Sequence, residues 1–258
     1  MIRIKTVANK MMACIGILLL FNAQIYAQTL RIAVAANAQA VIKKLQVDFK
    51  KQTGINTEVI SGASGKLTTQ IMNGAPYDVF LSADTEFPAK LFAAGYGIQK
   101  PKLYALGSLI ICGNVQGDIK DWQKLVSMDV VKKMAIANPK TAPYGYAALQ
   151  SLKFYNLENK IKHKLVFGES IAQVNTYLQT GVVGLGFTTE SFLYENGFNA
   201  KLKWARVDQK SYKNIEQAVI LLSHAKKSGI NNALKFYEYL SSASARKIIK
   251  NNGYHLPN

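Results

Sequence analysis

From Leu30 onward the chain alternates short apolar, β-branched runs with longer stretches of helical spacing, and this alternation commits it to an α/β fold. Residues 30–36 read as a buried strand. Residues 38–53 then set Val41, Leu45 and Phe49 on one helical face with lysines opposite, and Gly54 supplies the stop. The same reading gives strands at 57–60 and 79–81 and helices at 65–72 and 85–94. An apolar run follows at 103–112, with Gly107 as its only turn signal. The pattern then repeats: strands at 134–137, 165–167 and 182–187, helices at 146–154 and 171–178. A second apolar run, 218–222, precedes helices at 231–240 and 243–250. Two such runs suit a chain that leaves its first lobe and later returns.

Residues 1–27 have the layout of a secretory leader: Arg3, Lys5 and Lys10, then an apolar run over 11–21, then Ala27 before the expected cut. That run is about eleven residues, against the roughly 18 or more of a membrane-spanning helix. Cleavage there leaves Cys112 as the one cysteine, so an exported fold of this chain has no intramolecular disulfide and depends on its core. The expected location is outside the inner membrane.

The net charge is +17, from 32 Lys+Arg against 15 Asp+Glu. Beyond the leader the basic residues never run more than two together, and the aromatics fall in hydrophobic segments rather than between them. A face for single-stranded nucleic acid needs those aromatics interleaved with the charge. The charge therefore reads as a solvated surface, with no nucleic-acid partner.

Several chemistries fail on spacing. Ser61-Gly62-Ala63-Ser64-Gly65-Lys66 has the composition of a phosphate loop, but Ile60 and Leu67 stand where Gly and Ser or Thr are required. Lys66 likewise breaks a G-x-S-x-G nucleophile elbow. His163, His224 and His255 are too scattered for a metal site, and no cofactor is expected. An enzyme using Ser64 as nucleophile would need a base, and no histidine lies within almost a hundred residues of it in sequence.

What remains is a set of strand-to-helix junctions rich in small polar residues: Ala35-Ala36-Asn37-Ala38, Ser64-Gly65, Pro143-Tyr144-Gly145 and Glu169-Ser170-Ile171. Asn37 is a candidate N-cap. First helical turns carry unpaired N–H groups and a partial positive charge, so four of them facing one crevice would hold an anion without a charged side chain. Spacing alone does not bring the four together.

The run Gly74-Ala75-Pro76-Tyr77-Asp78-Val79-Phe80-Leu81-Ser82-Ala83-Asp84 resembles the G-A-P-x-D-[LV]-F-[IL]-S-A-D signature of the periplasmic molybdate-binding proteins of bacterial ABC importers. The similarity extends from Leu30 to Gly253 and includes Asn138-Pro139 and Gly184-Leu185-Gly186-Phe187. It implies a two-lobed type II periplasmic binding protein fold with two crossover strands as hinge, placed near Leu106 and Leu221. Lobe I is then 28–106 with 222–258, and lobe II 107–221. The implied oxyanion contacts are Asn37, through side chain and backbone, Ser64, the backbone N–H groups of Tyr144 and Ile171, and Ala36. The Tyr144 ring is then immaterial, and no metal is ligated directly. The resemblance implies a periplasmic, monomeric, non-enzymatic protein that passes molybdate or tungstate to a membrane permease. Sulfate, phosphate or an organic acid is the alternative ligand. Phe187 stands where some members have a donor tyrosine, and reads here as cleft wall or core.

Overall fold

The computed structural model describes residues 29–257, so the expected leader at 1–27 lies outside the described residues. The alternation is realised as β1 (Leu30–Ala35), α1 (Gln39–Thr53), β2 (Thr57–Gly62), α2 (Ser64–Met72), β3 (Val79–Leu81), α3 (Glu86–Ala93) and β4 (Lys102–Gly107). β1 pairs in parallel with β2 and β3. It is buried on both faces: Ile32 and Val34 belong to the core with Phe49 and Phe236, Ala33 to the core with Leu67 and Phe80. Strands covered on both sides read as continuous apolar runs, which is why this one did. α1 buries Val41, Ile42, Leu45 and Phe49. It ends at Gly54, whose φ of 72° lets its N–H return to the Lys50 carbonyl.

The apolar run 103–112 is not one strand. It is cut at Ser108: β4 closes the first sheet, and β5 (Leu109–Gly113) enters a second. That sheet is completed by β6 (Met134–Ala137), β7 (Leu165–Gly168), β8 (Leu185–Thr189) and β9 (Lys203–Arg206), with α4 (Pro143–Phe154) after β6 and α5 (Ile171–Gln179) after β7. The chain then returns as β10 (Ile215–Leu221), antiparallel between β3 and β4. Over the first sheet lie α6 (Ile230–Tyr239) and α7 (Ala243–Lys250), with Phe236 edge-on to Phe49 at 5.1 Å.

Strand orders are β2-β1-β3-β10-β4 and β7-β6-β8-β5-β9, so the two lobes share one plan. One expectation needs correction. The return is not near Leu221, because the whole of β10 lies in the first sheet; the second passage falls between Arg206 and Ile215, and 215–221 groups with lobe I. β10 is apolar because it is an interior strand of that sheet, not because it bridges the lobes. Phe187, on β8, is 1% exposed and packs edge-on against Trp122 at 5.2 Å, which makes it core of the second lobe.

Candidate functional site

β1 runs into a 3-10 turn at Ala36–Ala38, β2 into α2, β6 by a short loop into α4, and β7 into α5. All four junctions reach one small cavity between the lobes. Ala36, Asn37 and Ser64 line it from the first lobe, Tyr144 and Ile171 from the second, and the rest of its wall is alanine and Pro143. None of the residues lining it is charged. The five residues singled out in the sequence thus come together, although Ala36 and Ile171 lie 135 residues apart in the chain.

The helix starts here are left open. The N-cap positions of α2 and α4 are Ala63 and Ala142, which have no side-chain acceptor, and Ser170 before α5 makes no capping bond. The N–H groups of Ser64, Tyr144 and Ile171 cannot be paired within their helices, and no other described residue accepts from them. By contrast α7, which does not reach the cavity, is capped in the ordinary way: Ser242 Oγ accepts from Ala245 N–H at 3.2 Å. Ser64 itself is 1% exposed, and its Oγ accepts from Ala83 N–H at 3.1 Å. The hydroxyl hydrogen is therefore still available to a ligand. Among the described residues no histidine or carboxylate bonds to Ser64 Oγ, so none of them activates it as a nucleophile.

Two expectations change. Asn37 lies inside the 3-10 turn and caps nothing. Its Nδ2 donates to Gln217 Oε1 at 2.8 Å and to Tyr254 Oη at 3.2 Å, so both amide hydrogens are engaged and only the backbone N–H is left for the cavity. The Tyr144 ring is not immaterial either. Its hydroxyl accepts from Gln217 Nε2 at 3.3 Å and bonds with Thr189 Oγ1 at 3.2 Å, and burial pushes the phenol well above its ordinary pKa, so it stays protonated. The ring needs the space over Gly107, where a Cβ would sit 2.0 Å from Tyr144 Oη. Gln217, Tyr254, Thr189 and Ser191 carried no local sequence signal, because each finds its partners only through the tertiary fold.

The lobes touch beside the cavity. Gly65 N–H donates to the Thr141 carbonyl at 2.9 Å, and Lys66 forms an ion pair with Glu169 across the gap. A Cβ on Gly65 would lie 2.9 Å from Phe87 Cζ and 3.0 Å from Thr141 Cα, so a side chain there would push the Phe87 ring aside and press on the opposite lobe. In this closed arrangement the cavity has room for about one water. A tetrahedral oxyanion would need the lobes to part slightly. A larger groove of about 560 Å³ lies alongside, but Asp84, Glu86 and Glu216 line it together with Lys140 and Lys213, and carboxylates repel an anion.

Burial raises the carboxyl of Asp84 to about 6 and that of Glu195 to about 7; Ser82 and the Phe87 N–H oppose this at Asp84, Asn175 and Lys43 at Glu195. The folded protein therefore holds protons that the unfolded chain has already lost, and stability falls as pH rises through this range. Melting temperature should be several degrees higher at pH 5.5 than at pH 8. The double variant Asp84→Asn, Glu195→Gln should lose most of that slope, as scanning calorimetry would reveal.

Uncharged N–H and O–H donors that converge on one cavity suit a small anion. Comparisons with known proteins agree with that character. The profile of a family described as bacterial extracellular solute-binding protein matches residues 30–255. The molybdate-binding protein ModA of Azotobacter vinelandii is 36% identical over 231 residues, covering 89% of this chain and 91% of that protein. ModA of Rhodobacter capsulatus is 34% identical over 225 residues, 86% of each chain. Among solved structures, the periplasmic molybdate-binding protein of Azotobacter vinelandii superposes with a TM-score of 0.83 at 31% identity, over 89% of this chain and 100% of that one.

Proposed function

The chain belongs to the bacterial extracellular solute-binding proteins, with their two-lobed type II fold, and from that premise we propose that it captures molybdate between its lobes and delivers it to the membrane permease of an ABC importer. It is a carrier rather than an enzyme. The reading extends to tungstate, whose ion is almost the same size, and to a periplasmic monomer freed from its leader after Ala27. Neither a cofactor nor nucleic acid has a part in it.

The observation that carries this reading is the uncapped set of donors. Molybdate is a fully deprotonated dianion at neutral pH and presents acceptor oxygens only. Ser64 N–H and O–H, with the N–H groups of Tyr144, Ile171 and Asn37, match that demand, and the positive ends of α2, α4 and α5 oppose the charge. Hydrogen bonds to a charged group contribute about 1.5–3 kcal/mol each. Five of them, less dehydration and closure, are consistent with submicromolar affinity, about 8 kcal/mol or more. Hydrogen phosphate carries an O–H that needs an acceptor, which the five donors named here do not supply, and this disfavours phosphate.

Titration calorimetry on the purified protein should give one site per chain for molybdate and for tungstate, with sulfate and phosphate at least 100-fold weaker. Absence of heat with both metal oxyanions, or equal affinity for sulfate, would refute the assignment.

A further inference from the structure

Behind the cavity lies a buried polar cluster that joins the lobes. Asn37 is its centre. The Asn37 carbonyl accepts from Ser191 Oγ at 2.9 Å and from Tyr254 Oη at 2.7 Å, and the two hydroxyls are 3.1 Å apart. Its side-chain amide reaches Gln217, which also accepts from Tyr104 Oη at 3.0 Å and donates to Tyr144 Oη. Asn37, Tyr104, Gln217 and Tyr254 belong to the first lobe; Tyr144 and Ser191 belong to the second. The bonds between these two groups run from one lobe to the other.

We propose that Ser191 and Tyr144 are positioning residues that hold the lobes closed and aim the binding donors, so that the cluster sets the closing equilibrium and the rate of ligand release. The inference rests on reading the adjoining cavity as the ligand site. Its physical basis is the double use of two residues. Tyr144 presents a backbone N–H to the cavity and, from the far end of its ring, bonds to Gln217 on β10 of the first lobe. Asn37 presents its N–H on one side while Ser191, from the other lobe, fixes its carbonyl on the other. Closure thus orients one donor from each lobe in the same step. All of these groups are buried, so a bond lost on opening is only partly replaced by water until the gap is wide.

The test uses the full chain carrying Cys14→Ser together with Lys66→Cys and Glu169→Cys, positions whose side chains meet across the gap and lie on the surface. Cys112 is fully buried, with its thiol pushed up to about 12, and stays out of reach of reagents. The rate of joining the two new thiols with a short bifunctional reagent, without ligand, reports how often the lobes are closed. Ser191→Ala and Tyr144→Phe should each slow it about 3- to 10-fold, one interlobe hydrogen bond's worth, and should speed molybdate release by a similar factor. A role confined to packing within a lobe would lower the melting temperature of each variant and leave both rates unchanged; that result overturns the inference. Should one variant fail to fold, the other decides. If molybdate does not accelerate joining in the parent protein, the ligand assignment fails, while the ligand-free comparison still tests the latch.

Discussion

Ile171→Pro should weaken molybdate binding 100-fold or more while leaving α5 in place. Ile171 is the first residue of that helix, the one position where proline is well tolerated, because the N–H it removes has no partner within the helix. The preceding Ser170 is extended, at φ −147° and ψ 172°, in the region that residues before proline favour. The substitution therefore deletes a main-chain donor, which ordinary mutagenesis cannot do, and sets a ring methylene where the hydrogen pointed. Some stability goes with it, about 1–3 kcal/mol, since the buried isoleucine is replaced by a smaller side chain. Ile171→Val keeps the N–H and most of the side chain, and should bind as the parent does. If Ile171→Pro folds, by circular dichroism and melting, and binds with unchanged affinity, the α5 terminus is no part of the site.

Ser64→Ala should cost about 10- to 100-fold in affinity, one hydrogen bond to a charged group. The structure adds a second effect. Because Ser64 Oγ also accepts from the buried Ala83 N–H, alanine leaves that donor unpaired, and the unliganded protein should lose about 1–3 kcal/mol as well. Calorimetric titration and denaturant unfolding separate the two losses. A variant that loses stability but keeps its affinity would mean the hydroxyl serves only the fold.

The sequence was a good guide wherever burial and backbone geometry act locally. β3 and β6 occupy the residues their apolar runs mark, and α1 ends where Gly54 takes its left-handed turn. It was a poor guide where an apolar run has more than one cause. Residues 103–112 read as one apolar run because two consecutive strands in two different sheets, the edge strand β4 with one buried face and the fully buried interior strand β5, follow each other directly, and nothing local marks Ser108 as the point of change. The edge strand β9 was missed for the opposite reason. Lys203, Trp204 and Arg206 are exposed, so it lacks the buried face that would reveal it.

The candidate site divides along the same line. Ser64, Tyr144 and Ile171 stand at helix starts that turn residues announce. Their convergence on one cavity is a product of two sheets with the same strand plan facing each other, and only the family resemblance anticipated it. The behaviour of Asn37 was opaque, since its amide is captured by Gln217 and Tyr254, which are 180 and 217 residues away along the chain. A short polar side chain after a strand reads as a cap until such distant acceptors are known.

The central claim is that uncharged donors from both lobes enclose one dianion. It is tested most directly by diffraction from crystals grown with molybdate, with data collected above and below the molybdenum absorption edge. The account predicts one strong anomalous peak between the lobes, with oxygens about 2.7–3.2 Å from the Ser64, Tyr144 and Ile171 nitrogens and from Ser64 Oγ. A peak only among surface lysines, or none between the lobes in protein that binds molybdate in solution, would contradict it.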